Sequence, residues 1–375
     1  MKVLSLFANI GVAEAYLSGI GVDVVLANEL IERRAALYSR IYPKTQMICG
    51  DITLPDTYTK VLKTAKRLGV DTIMATPPCQ GISRAGKKYK NDVRNLLILP
   101  VTNIVRDLSP RYVFIENVPQ FVETYISVDD KDVLITDYIG SELSGKYDIS
   151  VNLIDTKCYG VPQTRQRTII LLTRKDVEKK WMLPVPDAFY VTLADAIGDL
   201  PSVDPFVKDV SEAELLELFP DFYKKLETAK RVSPWHFPPE HIKRQVITMI
   251  HTPTGKTAFD NEKYVPIKAD GTPVTGYKST YRRLRWNDPA STVTMDNRKI
   301  SSQNNVHPGR YLGLDENGDV LYSDPRVLTL FELMKIMSLP DSWSLPLDAN
   351  PAFVRSIIGE GIPPLFVKKV FEKIV

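Results

Sequence analysis

No single periodicity runs for long in the first 175 or so residues; short apolar runs and helically spaced segments take turns. Residues 2–7 (KVLSLF), 23–28 (DVVLAN), 46–49 (QMIC), 71–75 (DTIMA), 111–115 (RYVFI), 147–154 (YDISVNLI) and 168–173 (TIILLT) have the length and apolar content of strands. Helical spacing fills most of the gaps, notably 12–18, 30–41, 56–68, 95–108 and 130–144. Strands that alternate with helices predict an α/β fold, a doubly wound and mostly parallel sheet covered by helices on both faces. In such a sheet, ligands and chemistry gather beyond the carboxyl ends of the strands.

From residue 176 the alternation stops. The stretches RVSPWHFPPEHIKRQ, HTPTGKTAFDNEKY and KADGTPVTGYKSTYRRLRW mix Pro, His, aromatic and basic residues, which suits a smaller irregular domain that presents side chains to a partner. Order returns with a predicted helix over 325–338 and with PPLFVKKVFEKIV, whose Phe366, Val367, Val370, Phe371 and Ile374 share one helical face. That face needs an apolar surface to cover, and the sheet is the expected one. The predicted layout is a catalytic domain over 1–175, completed by the C-terminal helix within about 340–375, with 176–339 forming the small second domain and its connections.

Charge is nearly balanced, 48 Lys and Arg against 45 Asp and Glu, so a polyanion would be met by a local patch rather than by a global field. The three cysteines, Cys49, Cys79 and Cys158, are odd in number and far apart, which argues against a disulfide framework or a zinc cluster and fits a reducing cytoplasm. The first apolar run is too short for a signal-peptide core, and no stretch approaches the ~20 apolar residues of a membrane span. A cytoplasmic protein with no membrane partner is expected.

Chemistry concentrates at the predicted strand ends. In ATPPCQGIS, residues 75–83, Cys79 follows two prolines just past a strand. Most cysteines are small, buried and inert, but one at a strand's carboxyl end stands where a nucleophile is useful. LFANIGVAEAYL reads as strand, tight loop and helix, with Asn9 where a glycine is usual; Asn tolerates positive φ better than other side chains. Glu29 closes the second strand, and Asp51, in GDIT, the third. The three turns converge on one crevice suited to an adenosine moiety. A nucleoside cofactor without phosphates has no need of G-x-G-x-x-G, and S-adenosylmethionine is such a molecule.

Taken in order, LFANIG, GDIT, TPPCQGIS, DVRNLL, IENVP, QTRQR and IGEGIPP resemble the motif series of the DNA cytosine-5 methyltransferases, from the first residues to the last dozen. PPCQ followed by ENV and Q-x-R-x-R is specific as a set. The resemblance implies a Rossmann-like sheet that binds S-adenosylmethionine and releases S-adenosylhomocysteine, no metal, and a target-recognition domain in the irregular region. It implies double-stranded DNA as partner and, for a stand-alone core, a restriction-modification system with a cognate endonuclease. An RNA cytosine-5 methyltransferase on the same scaffold and a catalytically silent DNA-binding relative are the alternatives.

The same resemblance assigns roles. Cys79 is the thiolate that adds to C6 of cytosine, and Glu116 hydrogen-bonds the N3 and N4 edge and shares the proton. Arg165 contacts the base, Arg167 supports the glutamate and the active-site loop, and Asn117 orients that loop. Gln163, Arg165 and Arg167 are two apart, so an extended chain puts them on one face. Phe7, Asn9, Gly11, Glu29, Leu30, Asp51, Ile52, Pro77, Leu97 and Glu360 line the cofactor site. Leu30 stands where an aromatic residue often stacks on adenine, and Glu360 where asparagine is usual. A base in a duplex must be extruded at a cost of a few kcal/mol. Gln80, Ser83, Arg84, Lys87 and Lys88, in the stretch after Cys79, are expected to clamp the opened strand's phosphates, while the irregular region reads base edges.

Overall fold

The computed structural model describes residues 1–78, 93–261, 263–300 and 304–375. Its sheet strands are β1 (Lys2–Leu6), β2 (Asp23–Glu29), β3 (Gln46–Cys49), β4 (Thr72–Ala75), β5 (Tyr112–Asn117), β8 (Tyr147–Asp155) and β9 (Gln166–Arg174); a small hairpin, β6 (Tyr125–Val128) with β7 (Lys131–Leu134), intervenes. The seven-stranded sheet has the order β3-β2-β1-β4-β5-β9-β8. Strands β1 to β5 pair in parallel. β9 is antiparallel to both of its neighbours, so β8 runs with the first five and the sheet is mostly parallel, as the alternation predicts. The connection from β8 to β9 holds only a single 3-10 turn, Thr156–Tyr159, which is too short for the crossover that a parallel partner requires. The order reverses between β1 and β4, which opens a crevice above their carboxyl ends.

Successive residues of each strand point to opposite faces, and the two cores follow that alternation. On one face Leu4, Leu6, Ile73, Val113 and Ile115 pack with residues of α2 (Pro55–Leu68), α3 (Ile98–Leu108) and α4 (Ile135–Leu143). On the other, Val3, Met74, Tyr112, Phe114 and Leu171 meet Phe366, Val367, Val370 and Phe371 of the C-terminal helix, Pro364–Phe371. Phe371 sits 6.1 Å from Phe114 and 5.0 Å from Trp181, ring to ring. Each buried Phe of this kind contributes about 1.5–3 kcal/mol.

A third core joins Ile10 and Val12, in the loop after β1, and Leu37 and Ile41 of α1 (Glu32–Ile41), to Leu193, Leu284, Val293, Leu333 and Ile357. The irregular stretch therefore packs onto the side of the sheet that carries the loop after β1. Inside it the fully buried Arg326 bonds both oxygens of Glu332, at 2.8 and 2.9 Å, and reaches Asp324 at 2.9 Å. Among the described residues no helix is long and apolar enough to cross a membrane.

Three predicted helices differ in the structure. Residues 12–18 form turns and then a 3-10 turn, Leu17–Ile20, because Glu14 is drawn into the interior and only a short link remains before β2. Residues 125–134 form the β6–β7 hairpin, whose turn residues Asp129 and Asp130 both take positive φ, and α4 begins only at Ile135. The helix expected over 325–338 is confined to Leu330–Ile336, where Thr329 and Glu332 form a capping box.

Candidate active site

The chain leaves β1 through a turn in which Phe7, Asn9 and Gly11 all have positive φ, at 59°, 52° and 76°. For Phe and Asn this costs strain that the surroundings must hold. Glu29, buried at the end of β2, does part of that: one carboxylate oxygen accepts from the Asn9 N–H and the other from the Ile31 N–H, both at 2.9 Å. Gly11 is needed for space as well as for φ, since a Cβ there would lie 2.2 Å from the ring of Tyr42. From β4, Thr76 reaches back through its hydroxyl to the Phe7 carbonyl at 3.2 Å, which joins the loops after β1 and β4.

On the β3 side, the Asn28 amide bonds the Ile48 and Gly50 carbonyls at 2.9 and 3.0 Å. Asp51 closes its own turn, accepting from the Thr53 N–H and hydroxyl. Leu30 is 61% exposed beside the Glu29 carboxylate, and Leu54 is exposed nearby in the chain. Asn9 Oδ1 is buried and has no hydrogen-bond partner among the described residues. An oriented carboxylate and an orphaned amide oxygen are acceptors, and with an exposed leucine beside them they fit a nucleoside that donates through hydroxyl and amino groups.

The other cofactor candidates are placed less uniformly. Pro77 is buried, Leu97 is half-buried at the start of α3, and Ile52 belongs to the core, at 4% exposure. Glu360 is engaged on both oxygens by Arg34, at 2.8 Å each. Nothing in the sequence around either residue signals that pair, which joins the first turn of α1 to the turn before the C-terminal helix.

Glu116 and Asn117 end β5, a strand buried along its whole length. Across the β5–β9 ladder, Arg167 Nε lies 2.7 Å from Glu116 Oε1, with both side chains nearly buried. Asn117 donates to the Pro77 carbonyl at 3.0 Å and accepts from the Val118 N–H at 2.9 Å. Pro77 is two residues ahead of Cys79 in the chain. Cys79, Gln80, Ser83, Arg84, Lys87 and Lys88 lie outside the described residues. Of the remaining cysteines, Cys49 opens onto the crevice, but burial and the neighbouring Glu32 and Glu29 push its thiol pKa up, away from thiolate.

Arg165 is placed differently from Arg167. Its guanidinium is buried and donates to the Val293 carbonyl at 2.9 Å and the Gly359 carbonyl at 2.8 Å. Gln163 converges on the same segment, accepting from the Val293 N–H at 3.0 Å. Main-chain bonds between Thr164 and Ala290, and between Ala290 and Pro162, complete the junction. Gln163 and Arg165 thus share a destination, while Arg167, past the start of β9, turns to Glu116. An open cleft of about 480 Å³ adjoins this junction, lined by Thr164, Ser291, Thr292, Thr294 and Asn304 among others. Sequence reading missed these hydroxyls; the alternation in PASTVT is the one signal for them.

Comparison with known proteins bears on the family and the fold. A profile of the C-5 cytosine-specific DNA methylases matches residues 1–375. The chain is 41% identical over 377 residues to the type II methyltransferase M1.HgaI of Avibacterium volantium, covering 99% of this chain and 97% of that one. It is 26% identical over 388 residues to M.XorII of Xanthomonas oryzae pv. oryzae, covering 99% and 84%. A prophage-encoded candidate DNA modification methyltransferase of E. coli shares the fold with a TM-score of 0.68 at 19% identity, covering 100% and 98%. A DNMT2 variant of Spodoptera frugiperda shares it at 0.59 and 17%, covering 99% and 98%. With a family match along its whole length and a full-length relative above two-fifths identity, the chain belongs to the C-5 cytosine-specific DNA methylases.

Proposed function

We propose that this enzyme methylates C5 of a cytosine extruded from a specific duplex DNA sequence, with S-adenosylmethionine as donor, as the modifying member of a restriction-modification system. The observation that carries the reading is the end of β5: Glu116 is paired with Arg167, and the next residue, Asn117, grips Pro77, two residues before the chain's candidate nucleophile. The proposed acid and the residue two ahead of Cys79 are thereby held at one strand end.

C5 of cytosine is a poor nucleophile until the ring is broken out of aromaticity. The Cys79 thiolate adds to C6 while N3 takes a proton from Glu116, and the resulting enamine carries electron density at C5. Bound S-adenosylmethionine supplies the methyl group that C5 accepts. Loss of the C5 proton then expels the thiolate, N3 returns its proton to Glu116, and the neutral ring, the Cys79 thiolate and the acid are all restored. Arg167 holds the Glu116 carboxyl group toward the base, and Arg165 is a positioning residue that braces the 290–294 segment and the turn at Gly359. At the cofactor, Glu29 suits the ribose hydroxyls, Asn9 Oδ1 the amino group, and Leu30 one face of the adenine. Gln80, Ser83, Arg84, Lys87 and Lys88 clamp phosphates, and residues 176–339 read the sequence.

The type II names of M1.HgaI and M.XorII support the restriction-modification setting. The test is transfer of a labelled methyl group from S-adenosylmethionine to plasmid DNA and, in parallel, to bulk tRNA, with wild type and Cys79→Ser. DNA labelling by the wild type alone is expected. Undiminished labelling by Cys79→Ser, or labelling of tRNA in preference to DNA, overturns the proposal.

A further inference from the structure

The turn after β1 is held from beneath by a buried group that the chemistry above does not use. Glu14 is 3% exposed and lies among Ser5 of β1 and Tyr38 of α1, whose hydroxyl donates to its Oε2. Its other oxygen, Oε1, is buried with no hydrogen-bond partner among the described residues. Tyr38 and Tyr42 are the titratable groups that face it, their rings 4.9 Å apart, and no cation among the described residues is paired with it.

The network continues into the cofactor turn. Tyr42 donates its hydroxyl to the Gly11 carbonyl at 2.5 Å, and Trp343 Nε1 donates to the Tyr42 oxygen at 3.1 Å. The main-chain N–H of Glu14 bonds the same Gly11 carbonyl at 3.3 Å. Gly11 is thus bracketed by Tyr42 and by Glu14, and Asn9 stands two residues before it. An ionised carboxylate buried here with no cation partner among the described residues is costly, and the turn that Tyr42 and Glu14 bracket is the segment placed to shift in relieving it. Burial accordingly raises the Glu14 carboxyl to about 7.

We infer that Glu14 is a positioning residue for the cofactor turn, which keeps its binding shape while the Glu14 carboxyl is protonated and loosens when that proton is lost. The inference rests on the reading of this crevice as the S-adenosylmethionine site. Cofactor affinity then falls as pH rises past neutrality, because the competent turn is a shrinking fraction of the population. One proton sets the limit at about tenfold in affinity per pH unit.

The test is calorimetric titration of S-adenosylhomocysteine into the full chain between pH 6 and 9, for wild type, Glu14→Gln and Tyr38→Phe. Titration of the ligand's own amino group is common to all three and cancels in the ratios. Glu14→Gln mimics the protonated form, so its affinity should equal that of wild type at pH 6 and exceed it about tenfold at pH 8. Tyr38→Phe removes a donor that favours ionisation and should move the wild-type transition to higher pH, which keeps the test decisive if Glu14→Gln fails to fold. Parallel curves for wild type and Glu14→Gln, or an unmoved transition in Tyr38→Phe, overturn the inference alone. Absence of binding by the wild type at every pH removes the cofactor reading and the inference with it.

Discussion

Arg167 and Glu116 face each other across neighbouring antiparallel strands, Nε to Oε1 at 2.7 Å, at the carboxyl end of β5. The pair fixes a carboxyl group in one orientation without occupying both of its oxygens through that nitrogen. Glu116→Gln keeps the shape and removes the transferable proton. Methyl transfer should fall by about 10²–10⁴ while DNA binding is retained. Single-turnover transfer alongside a gel-shift titration checks this, and transfer within threefold of wild type rules Glu116 out as the acid.

Arg167→Met tests the other side of the pair. With both side chains nearly buried, removing the cation leaves a carboxylate without its counter-charge, and the loss should approach the ~3–5 kcal/mol seen when a buried pair is broken. Denaturant unfolding reads the loss directly. Stability equal to wild type would mean that water already screens the pair.

Asn117 is bonded to the Pro77 carbonyl, two residues before Cys79 in the chain. Asn117→Ala deletes the bond to the Pro77 carbonyl and leaves that acceptor and the Val118 N–H unmatched, at about 1–3 kcal/mol for a buried group. The expected signature is a reduced rate of covalent capture by a duplex containing 5-fluorocytosine, with S-adenosylhomocysteine affinity unchanged. A variant that loses cofactor affinity and captures the duplex normally would place Asn117 in the other half of the site.

Gly11→Ala joins two penalties at one position: a φ of 76° that disfavours any Cβ, and a ring carbon of Tyr42 at 2.2 Å. The turn must shift, and the Tyr42 bond to the Gly11 carbonyl shifts with it. Affinity for S-adenosylhomocysteine should drop at least tenfold, measured by calorimetry. An unchanged affinity would mean that the ligand does not use this turn.

Much of the fold could be read from the strand runs, because strands buried on both faces are apolar nearly throughout and need no distant information to be recognised. Glu116 is legible as the residue that follows an apolar strand run, whereas Asn117 stands out only through the resemblance of IENVP to the family motif. What stayed hidden was decided by partners far along the chain. The helical spacing of 12–18 gives way to turns because Glu14 is captured by Tyr38, 24 residues on. Arg165 stands two residues from Arg167 in a shared motif, yet its partners are carbonyls 128 and 194 residues downstream, and carbonyls have no sequence signal. Glu360 departs from the motif's usual asparagine, and the arginine that balances it is 326 residues away.

Acid stability follows from two histidines in the irregular region. Burial pushes both His241 and His307 down to about 4, from an ordinary value near 6.5. The geometry gives the reason: His241 Nε2 accepts from the Val327 N–H at 3.2 Å and His307 Nδ1 from the Gly309 N–H at 3.1 Å, so each ring needs an unprotonated nitrogen to keep its bond. Between pH 6.5 and 4 the unfolded chain binds protons that the folded one refuses. Their contribution to stability is whole above about pH 6.5 and drains away as pH falls toward 4, by at most about 1.4 kcal/mol per pH unit for each ring. Glu14 acts in the opposite sense, since its raised value of about 7 makes the folded chain the better proton binder over part of the same window. Denaturant unfolding from pH 7.5 to 4.5 should therefore show wild type losing stability as pH falls, because burial lowers His236 as well and the depressed histidines outnumber the raised Glu14. Glu14→Gln should steepen that loss and His241→Gln should flatten it. A His241→Gln curve parallel to wild type would show that folding leaves this ring's titration unchanged, and with it the account of how the irregular region is held together would fall.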